Sequence, residues 1–416
     1  SSQGSFNLGT NGLDYLFCIA RGTSGGGFFM NWGQDSAFGG LKTAGGNADD
    51  NGFGDFFYAP PSGHLALCSG NLGISADIDP AQTDNNFPGK NFNCVTYTGN
   101  ASTRSITGVN FQPDLVMTRG RSETSSGKWV DSSRGATKVL QSNSTSSEST
   151  DSAGLTAFGS DGYNLGSDAG YNNNSTTYVA WCWRANGGTT ASNSNGSITS
   201  TVQTNPAQNF SIITYSGTGS NATIGHGLSA KPAFIIVKNR TDTDSWAVYH
   251  ESIGADFYTS LQSSIFSNNA TFWNDTEPTT SVISIGTNNR VNGSSDNLVC
   301  YAWAQAEGYM KFGEYLGNGN SDGSFVYTGF RPRMLVIKRN ANSHDWILFD
   351  TARNTFNLTD KAVTWDTTDV ESTSNGIDIL SNGFKLRNTN SSLNNSGSQF
   401  VFGAWGDVPF KYNNTF

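Results

Sequence analysis

An all-β chain of tandem antiparallel β-sandwich modules with little helix is the fold class that three features of the sequence predict. The first is an internal repeat. A proline followed by an apolar run and a tryptophan occurs as Pro113 to Trp129, Pro232 to Trp246 and Pro332 to Trp346, spacings of 16, 14 and 14 residues. An aromatic stretch then ends in Trp183, Trp303 or Trp405, a further 54, 57 and 59 residues on. Self-similarity of this length marks a chain built from large repeated units. The second feature is the character of the runs themselves. Phe234 to Val237 and Met334 to Ile337 are short, apolar and rich in β-branched residues, the mark of core strands. The third is that no window of ten or more residues carries the i, i+3, i+4, i+7 spacing of an amphipathic helix.

Each element of the module follows from local chemistry. The proline has a fixed φ and no N–H, so it suits the first residue of a strand, where no ladder bond is lost. A strand precedes it in every copy: Asn93 to Gly99, Ser211 to Gly217 and Lys311 to Gly317. Further apolar stretches follow, such as Val282 to Gly286 and Ile377 to Leu380. About six strands per module, joined by polar Gly and Asn turns, match a two-sheet sandwich.

The expected organisation is a leading β-like segment at 1–90, module one at 91–186, a flexible linker at 187–208, module two at 209–308 and module three at 309–416. The tract at 187–208 is a run of Gly, Ser, Thr and Asn, so a hinge is expected there, with modules two and three moving as one body. The chain begins Ser-Ser-Gln-Gly, without Met, and a processed or missing upstream part is expected.

Composition narrows the function. Glycine is 49 of 416 residues and charged residues are 14%, against a usual ~25%. Yet 12% of the chain is aromatic, which a disordered chain lacks. The net charge of −9 argues against a phosphate-backbone partner, so no nucleic acid is expected. No 18-residue apolar run is present, so no membrane insertion is expected. The five cysteines, Cys18, Cys68, Cys94, Cys182 and Cys300, are scattered and include no C-x-x-C, which reads as buried free thiols and a reducing folding compartment.

The phrases FQPDLVMTRGRS, WVDSSRGATKVLQSN, YVAWCWRANGG, IGHGLSAKPAFIIVKNR, VYTGFRPRMLVIKR and ILSNGFKLRNTN resemble a family of repeat domains found in phage tail-fibre and other virion structural proteins, especially of marine phages. The likeness covers about 91–416. Residues 1–90, with NWGQDSAFGGLKTAGGNADDNGFGDFFYAPPSG, look like the end of a SPRY or concanavalin-like sandwich. The resemblance implies a virion protein, a tail-fibre or appendage subunit involved in host attachment, with a capsid decoration or head-fibre protein as the alternative and a glycan depolymerase as a third class. It implies a homotrimer, other virion proteins and a host-surface glycan or protein as partners, and no cofactor. It brings no catalytic residues.

The residues that carry chemistry are few. Asp131 with Arg134, and Asp350 with Arg353, take the same D-x-x-R place in modules one and three, which reads as a structural ion pair because a catalytic pair need not recur in each module. Gly22-Thr23-Ser24-Gly25-Gly26 spells G-x-S-x-G but lacks a strand-turn-helix context. Asp49, Asp50, Asn51 and Asp55, with Asp77 and Asp79 nearby, offer hard oxygens for calcium, although Pro60 stands where an EF-hand has its glutamate. The four histidines show no zinc-ligand spacing. Trp273 and Trp365 lie in corresponding polar stretches. As exposed indoles they would stack on sugar rings, with Asn274, Asp275 and Asp366 orienting the sugar. As packing groups they would cap their own sandwich.

Overall fold

The computed structural model describes residues 32–33, 35–38, 40–68, 71, 87–207, 209–262, 266–341, 344–373 and 375–406. The chain divides into two compact units, Ser1–Gly73 and Ile74–Phe416. The described part of the first is turn-rich, with one antiparallel bridge between Asn47 and Phe56. The second unit is all-β and holds the three modules as antiparallel sandwiches. Among the described residues its α-helices are four single turns, of which Ala169–Asn172 (α1), Ala270–Trp273 (α2), Asn289–Asn292 (α3) and Ser391–Asn394 (α4) are each four residues long.

Module one contains β1 (Phe92–Thr98), β2 (Arg104–Ile106), β3 (Leu115–Gly120), β4 (Lys128–Asp131), β5 (Lys138–Gln141), β6 (Ser149–Thr150), β7 (Leu155–Gly159), β8 (Gly162–Leu165) and β9 (Thr177–Trp183). Two strands then lie between modules, β10 (Ala191–Asn193) and β11 (Ser200–Asn205). Module two contains β12 (Phe210–Ser216), β13 (Ala222–Gly225), β14 (Pro232–Asn239), β15 (Ala247–His250), β16 (Phe257–Ser260), β17 (Ser267–Asn268), β18 (Val282–Ile285) and β19 (Asn297–Ala304). Module three contains β20 (Met310–Leu316), β21 (Phe325–Tyr327), β22 (Pro332–Arg339), β23 (Ile347–Asp350), β24 (Val363–Thr364), β25 (Ile377–Leu380), β26 (Gly383–Leu386) and β27 (Gln399–Gly406).

The inner sheets share one topology: β1-β9-β3-β4-β5-β6, then β12-β19-β14-β15-β16-β17, then β20-β27-β22-β23-β24. In each, the last long strand of the module lies between its first strand and the strand that follows the proline. Pro232 and Pro332 open β14 and β22, and a register shift follows each of them, so the proline sits where the ladder is already interrupted. The outer sheets are smaller: β2-β8-β7, β13-β18 and β21-β26-β25.

The segment 187–208 is not the open linker its composition implies. Strand β11 pairs with β12 from Thr201↔Thr214 to Asn205↔Phe210, and β10 pairs with β11, so the inner sheet of module two has eight strands. Thr, polar in composition, is β-branched and suits a strand with one face covered, and Val202 and Ile198 are buried in the core of module two. The same segment is tied to module one, because Gln203 donates to Ser132 Oγ (2.9 Å) and Ser133 Oγ (2.8 Å), and Asn205 donates from Nδ2 to Asn91 Oδ1 (2.8 Å). Module one is therefore not hinged on this stretch.

Each sandwich has its own core, but a fourth core belongs to all three modules. It gathers Phe92, Trp129, Trp181 and Trp183 of module one, Phe234, Trp246, Tyr301 and Trp303 of module two, and Phe312, Trp346, Trp365 and Trp405 of module three. The inner sheets thus face one another around a central axis, and the modules form one body.

Candidate functional site

The last strand of each module is apolar along its whole length because both its faces are buried. In β9, Ala180 and Cys182 face the core of module one, whereas Val179, Trp181 and Trp183 face the shared core. A strand covered on both sides reads as a continuous apolar run with no alternation. At its end stands the tryptophan. The rings of Trp183, Trp303 and Trp405 lie 5.9, 5.7 and 6.0 Å from one another, at interplanar angles of 64°, 77° and 76°. Near-equal separations in an edge-to-face triangle define a pseudo-threefold axis. None of the three indole N–H groups has a hydrogen-bond acceptor among the described residues.

The ladder register shows which residues correspond. Leu115, Phe234 and Met334 each pair with the axial tryptophan, and opposite them lie Asp131, His250 and Asp350. Each of these three residues is bonded to the final strand of the next module around the axis. Tyr301 of module two donates its hydroxyl to Asp131 Oδ2 (2.7 Å), Trp181 of module one donates to Asp350 Oδ2 (3.1 Å), and His250 donates from Nε2 to the Phe402 carbonyl of module three (3.1 Å). Asp131 also forms a fully buried ion pair with Arg134, and Asp350 one with Arg353 (2.7 Å). The D-x-x-R motifs are structural pairs at the seams between modules.

Two of the seams carry a further, matching network. Glu148 accepts from Arg134 Nη1 (2.9 Å) and from Arg240 of module two (2.9 Å), while Glu371 accepts from Arg353 Nη1 (3.2 Å) and from Arg121 of module one (2.8 Å). Burial of Arg134 is offset by Asp131 and Glu148, which together hold its guanidinium firmly charged. The seam between modules two and three uses neutral His250, whose Nδ1 accepts from Ser252 N (3.2 Å), and whose pKa burial pushes down to about 4.

Trp365 and Trp273 are packing groups and not exposed platforms. Trp365 is 3% exposed and sits in the shared core, 5.6 Å from Trp129 and 6.2 Å from Trp346. The register locates its neighbour Trp129. Trp129 pairs with Leu140 as Val248 pairs with Thr259 and Leu348 with Val363, so the residue of module one that corresponds to Trp246 and Trp346 is Gly127, two positions earlier. The 16-residue spacing of module one reflects this shift; a side chain at Gly127 would collide with Ser142 Oγ, and the Trp365 indole packs instead against Trp129. Trp273 is 1% exposed and packs edge-to-face on Tyr249 at 5.9 Å, inside module two.

The polar partners expected for a sugar are engaged in turns and backbone contacts, and the two indoles they were to accompany are buried. Asn274 is a left-handed cap of α2 that accepts from Asn221 Nδ2 (2.6 Å), and Asp275, at φ 45°, continues that turn. Asp366 accepts from Trp346 N (3.0 Å), in the place where Gln262 accepts from Trp246 N (3.1 Å) and Asn143 from Gly127 N (3.1 Å). Burial, with Asp345 adding to it, pushes the Asp366 carboxyl up to about 7. An acid in the place of two amides is thus held towards its neutral form.

The calcium candidates spend their oxygens on N–H groups. Asp49 accepts from Asn51 N, Phe53 N and Ala66 N at 2.8–2.9 Å, Asp50 from Gly63 N and Ser62 Oγ (both 2.8 Å), and Asp55 from Ser36 N (3.1 Å). Asn51 donates to Asn71 (2.8 Å). These bonds organise turns, and among the described residues no group of three His, Cys, Asp or Glu is placed to hold a metal. Cys182 and Cys300 are buried free thiols, Cys94 is buried in the shared core, and Cys68, expected to be buried, is half-buried. The G-x-S-x-G run, Cys18, Asp77 and Asp79 lie outside the described residues.

One repeated constellation escaped the sequence reading. Asn172, Asn292 and Asn394 are fully buried at the ends of α1, α3 and α4. Each donates from Nδ2 to two backbone carbonyls, of Ser102 and Gly166, of Ser220 and Gly286, and of Asn320 and Asn388, at 2.6–2.9 Å. Each also accepts on Oδ1 from the loop after the first strand, from Asn100, Thr218 or Asn318 (2.8–3.0 Å). Beside them Tyr97, Tyr215 and Tyr315 donate to the Tyr171, Val291 and Leu393 carbonyls (2.6–2.9 Å). The signal was present as a recurring Tyr and Asn in each copy, hidden by the abundance of Asn.

Residues 87–409 match the domain family DUF7483, described as a domain of unknown function. No curated protein matches the chain.

Proposed function

We propose, from the premise that the chain belongs to the DUF7483 family, that its three modules form one rigid, non-enzymatic body in a phage virion, as a tail-fibre or appendage subunit that presents its surface to a host glycan or protein. The observation that carries this reading is the axial triangle of Trp183, Trp303 and Trp405, which fuses three sandwiches into a threefold body within one chain. Appendages that use threefold order ordinarily assemble three subunits. Here one chain supplies three equivalent sheets. The motif resemblance to virion repeat domains supports the same assignment.

Under this proposal the homotrimer is unnecessary for threefold order, and light scattering is expected to give the mass of one 44.4 kDa chain at micromolar concentration. The decisive test is electron cryo-microscopy of particles labelled with an antibody against this chain. Label on tail appendages is expected. Label spread over the capsid would move the assignment to a decoration protein, and its absence from purified particles would overturn the virion reading. Turnover of a host polysaccharide by the purified chain would overturn the non-enzymatic part.

A further inference from the structure

The three sandwiches are not closed alike. Their first two strands, one in each sheet, leave an open side between the sheets. In module two the segment 196–205 closes it. Ile198 forms a parallel bridge to Ile224 of β13 and donates from N to Thr223 O (3.0 Å), and β11 then runs antiparallel along β12. Ser197 and Ser200 bond Thr223 and Gly225, while Ile198 and Val202 enter the core beside Ile213, Tyr215 and Ile224. The segment pairs with two edges and fills the gap with two aliphatic side chains four residues apart.

Among the described residues, module three has the same side uncovered. Residues Gly313, Tyr315 and Val326 correspond to Ile213, Tyr215 and Ile224 by register. They line a groove of about 460 Å³ that opens between β20 and β21 and has Phe402 at its base. The residues that correspond to Thr223 and Gly225 are Phe325 and Tyr327, 48% and 63% exposed, and Leu316 beside them is 64% exposed. Module one has Ser105 and Thr107 at these places. Module three cannot close its own groove as module two does, because only 305–309 separate β19 from β20, and these form a tight turn with Met310 N donating to Ala306 O (2.8 Å). The Gln305 amide accepts from Phe312 N (3.1 Å) and donates to Phe312 O (2.8 Å), at the position that faces Gln203 in module two. That amide caps one end of the edge, the Leu316 carbonyl accepts from Ser324 Oγ (2.8 Å) at the other, and the stretch around Glu314 between them is left to pair.

We propose that the groove between β20 and β21 is a strand-docking site for an extended segment of another polypeptide. The segment is uncharged, rich in Ser, Thr and Asn, and carries two aliphatic residues four apart, the chemistry that residues 196–205 bring to module two. It pairs with the free edges by strand addition, sets its aliphatic side chains over Gly313 and Val326, and covers the rings of Phe325 and Tyr327. This inference is independent of the virion assignment.

The test uses the full chain and a fluorescein-labelled peptide with the sequence of residues 194–207, read by anisotropy. Saturable binding is expected, and a peptide with Asp in place of both Ile198 and Val202 is expected to show none. The variant Phe325→Ser/Tyr327→Thr, which installs the residue types of module one on an exposed strand, is expected to keep its melting temperature and bind at least about tenfold more weakly. A photo-crosslinker at Tyr327 is expected to capture the peptide. No saturable binding at millimolar peptide, equal affinity of the double variant, or crosslinking only to residues 407–416 or to a second copy of the chain would each overturn the proposal.

Discussion

At the scale of single residues, the polar groups at the seams determine how the molecule responds to pH. Asp366 has a folded pKa near 7, above the usual carboxylate value, because burial disfavours its charge. A raised folded pKa means that its contribution is intact below about pH 4 and is lost as pH rises towards 7. The residue keeps part of its surface, so the loss is discounted to about 1–2 kcal/mol. Asp366→Asn, which installs the residue type of Asn143, is expected to match the wild type at pH 4 and to exceed it by that amount at pH 8, measured by urea unfolding at both values. His250 works in the opposite sense. Burial lowers its folded pKa to about 4, so its contribution is intact above pH 6.5 and falls away as pH drops towards 4, by up to about 3 kcal/mol. His250→Asn should flatten the acid limb of the stability curve, and an unchanged limb would show that another group governs it. Tyr301→Phe removes one donor from buried Asp131 and is expected to cost about 1–3 kcal/mol in the same assay.

At the scale of elements, the four-residue helices survive because side chains do what helix length does not. A single turn is far too short to be stable alone. Asp168, Asn288 and Asn390 cap α1, α3 and α4 at their starts, and the buried Asn172, Asn292 and Asn394 bind three backbone groups each at their ends. Replacing one of these asparagines with Ala leaves two carbonyls, one of them buried, and an N–H without their partner and is expected to cost about 2–4 kcal/mol, whereas Ala at exposed Asn274 should cost about 1–2 kcal/mol, from its left-handed backbone alone. Strand β11 likewise acts through its backbone, closing the edge of β12. Limited proteolysis is accordingly expected to spare Ser200–Asn205 in the native state. Preferential cleavage within β11 would show that the strand opens independently.

At the scale of the whole molecule, the shared core makes the second unit a single cooperative body. Trp303 touches Trp183 and Trp405, and Trp129 touches Trp246 and Trp365, so each module completes the burial of the others. Trp303→Ala or Trp365→Ala is expected to destabilise all three modules together by about 3–5 kcal/mol, seen as one calorimetric transition moved to lower temperature. Separate transitions for separate modules would contradict a common core. A chain cut after module two should expose the axial aromatic surface and aggregate, because an apolar face of that size is not left open to water.

The repeat, its β character and the strands are legible in the amino-acid order, because the side chains of a strand declare themselves within a few residues: β14 and β22 begin at the expected prolines, and β18 and β25 fall where the short apolar runs stand. So are the D-x-x-R ion pairs, whose partners are three residues apart. Only the tertiary structure decided where the outer face of each inner sheet points. A polar flank around Trp365 looks the same whether the indole faces water or an axis, and what buries it is Trp129 and Trp346 from distant sequence positions. The Gly/Ser/Thr/Asn tract at 187–208 reads as a linker because its strands are stabilised by the backbone of β12, a bond that any residue but proline can make. The open groove of module three was likewise invisible, since it exists only by contrast with a neighbour in which the same side is filled.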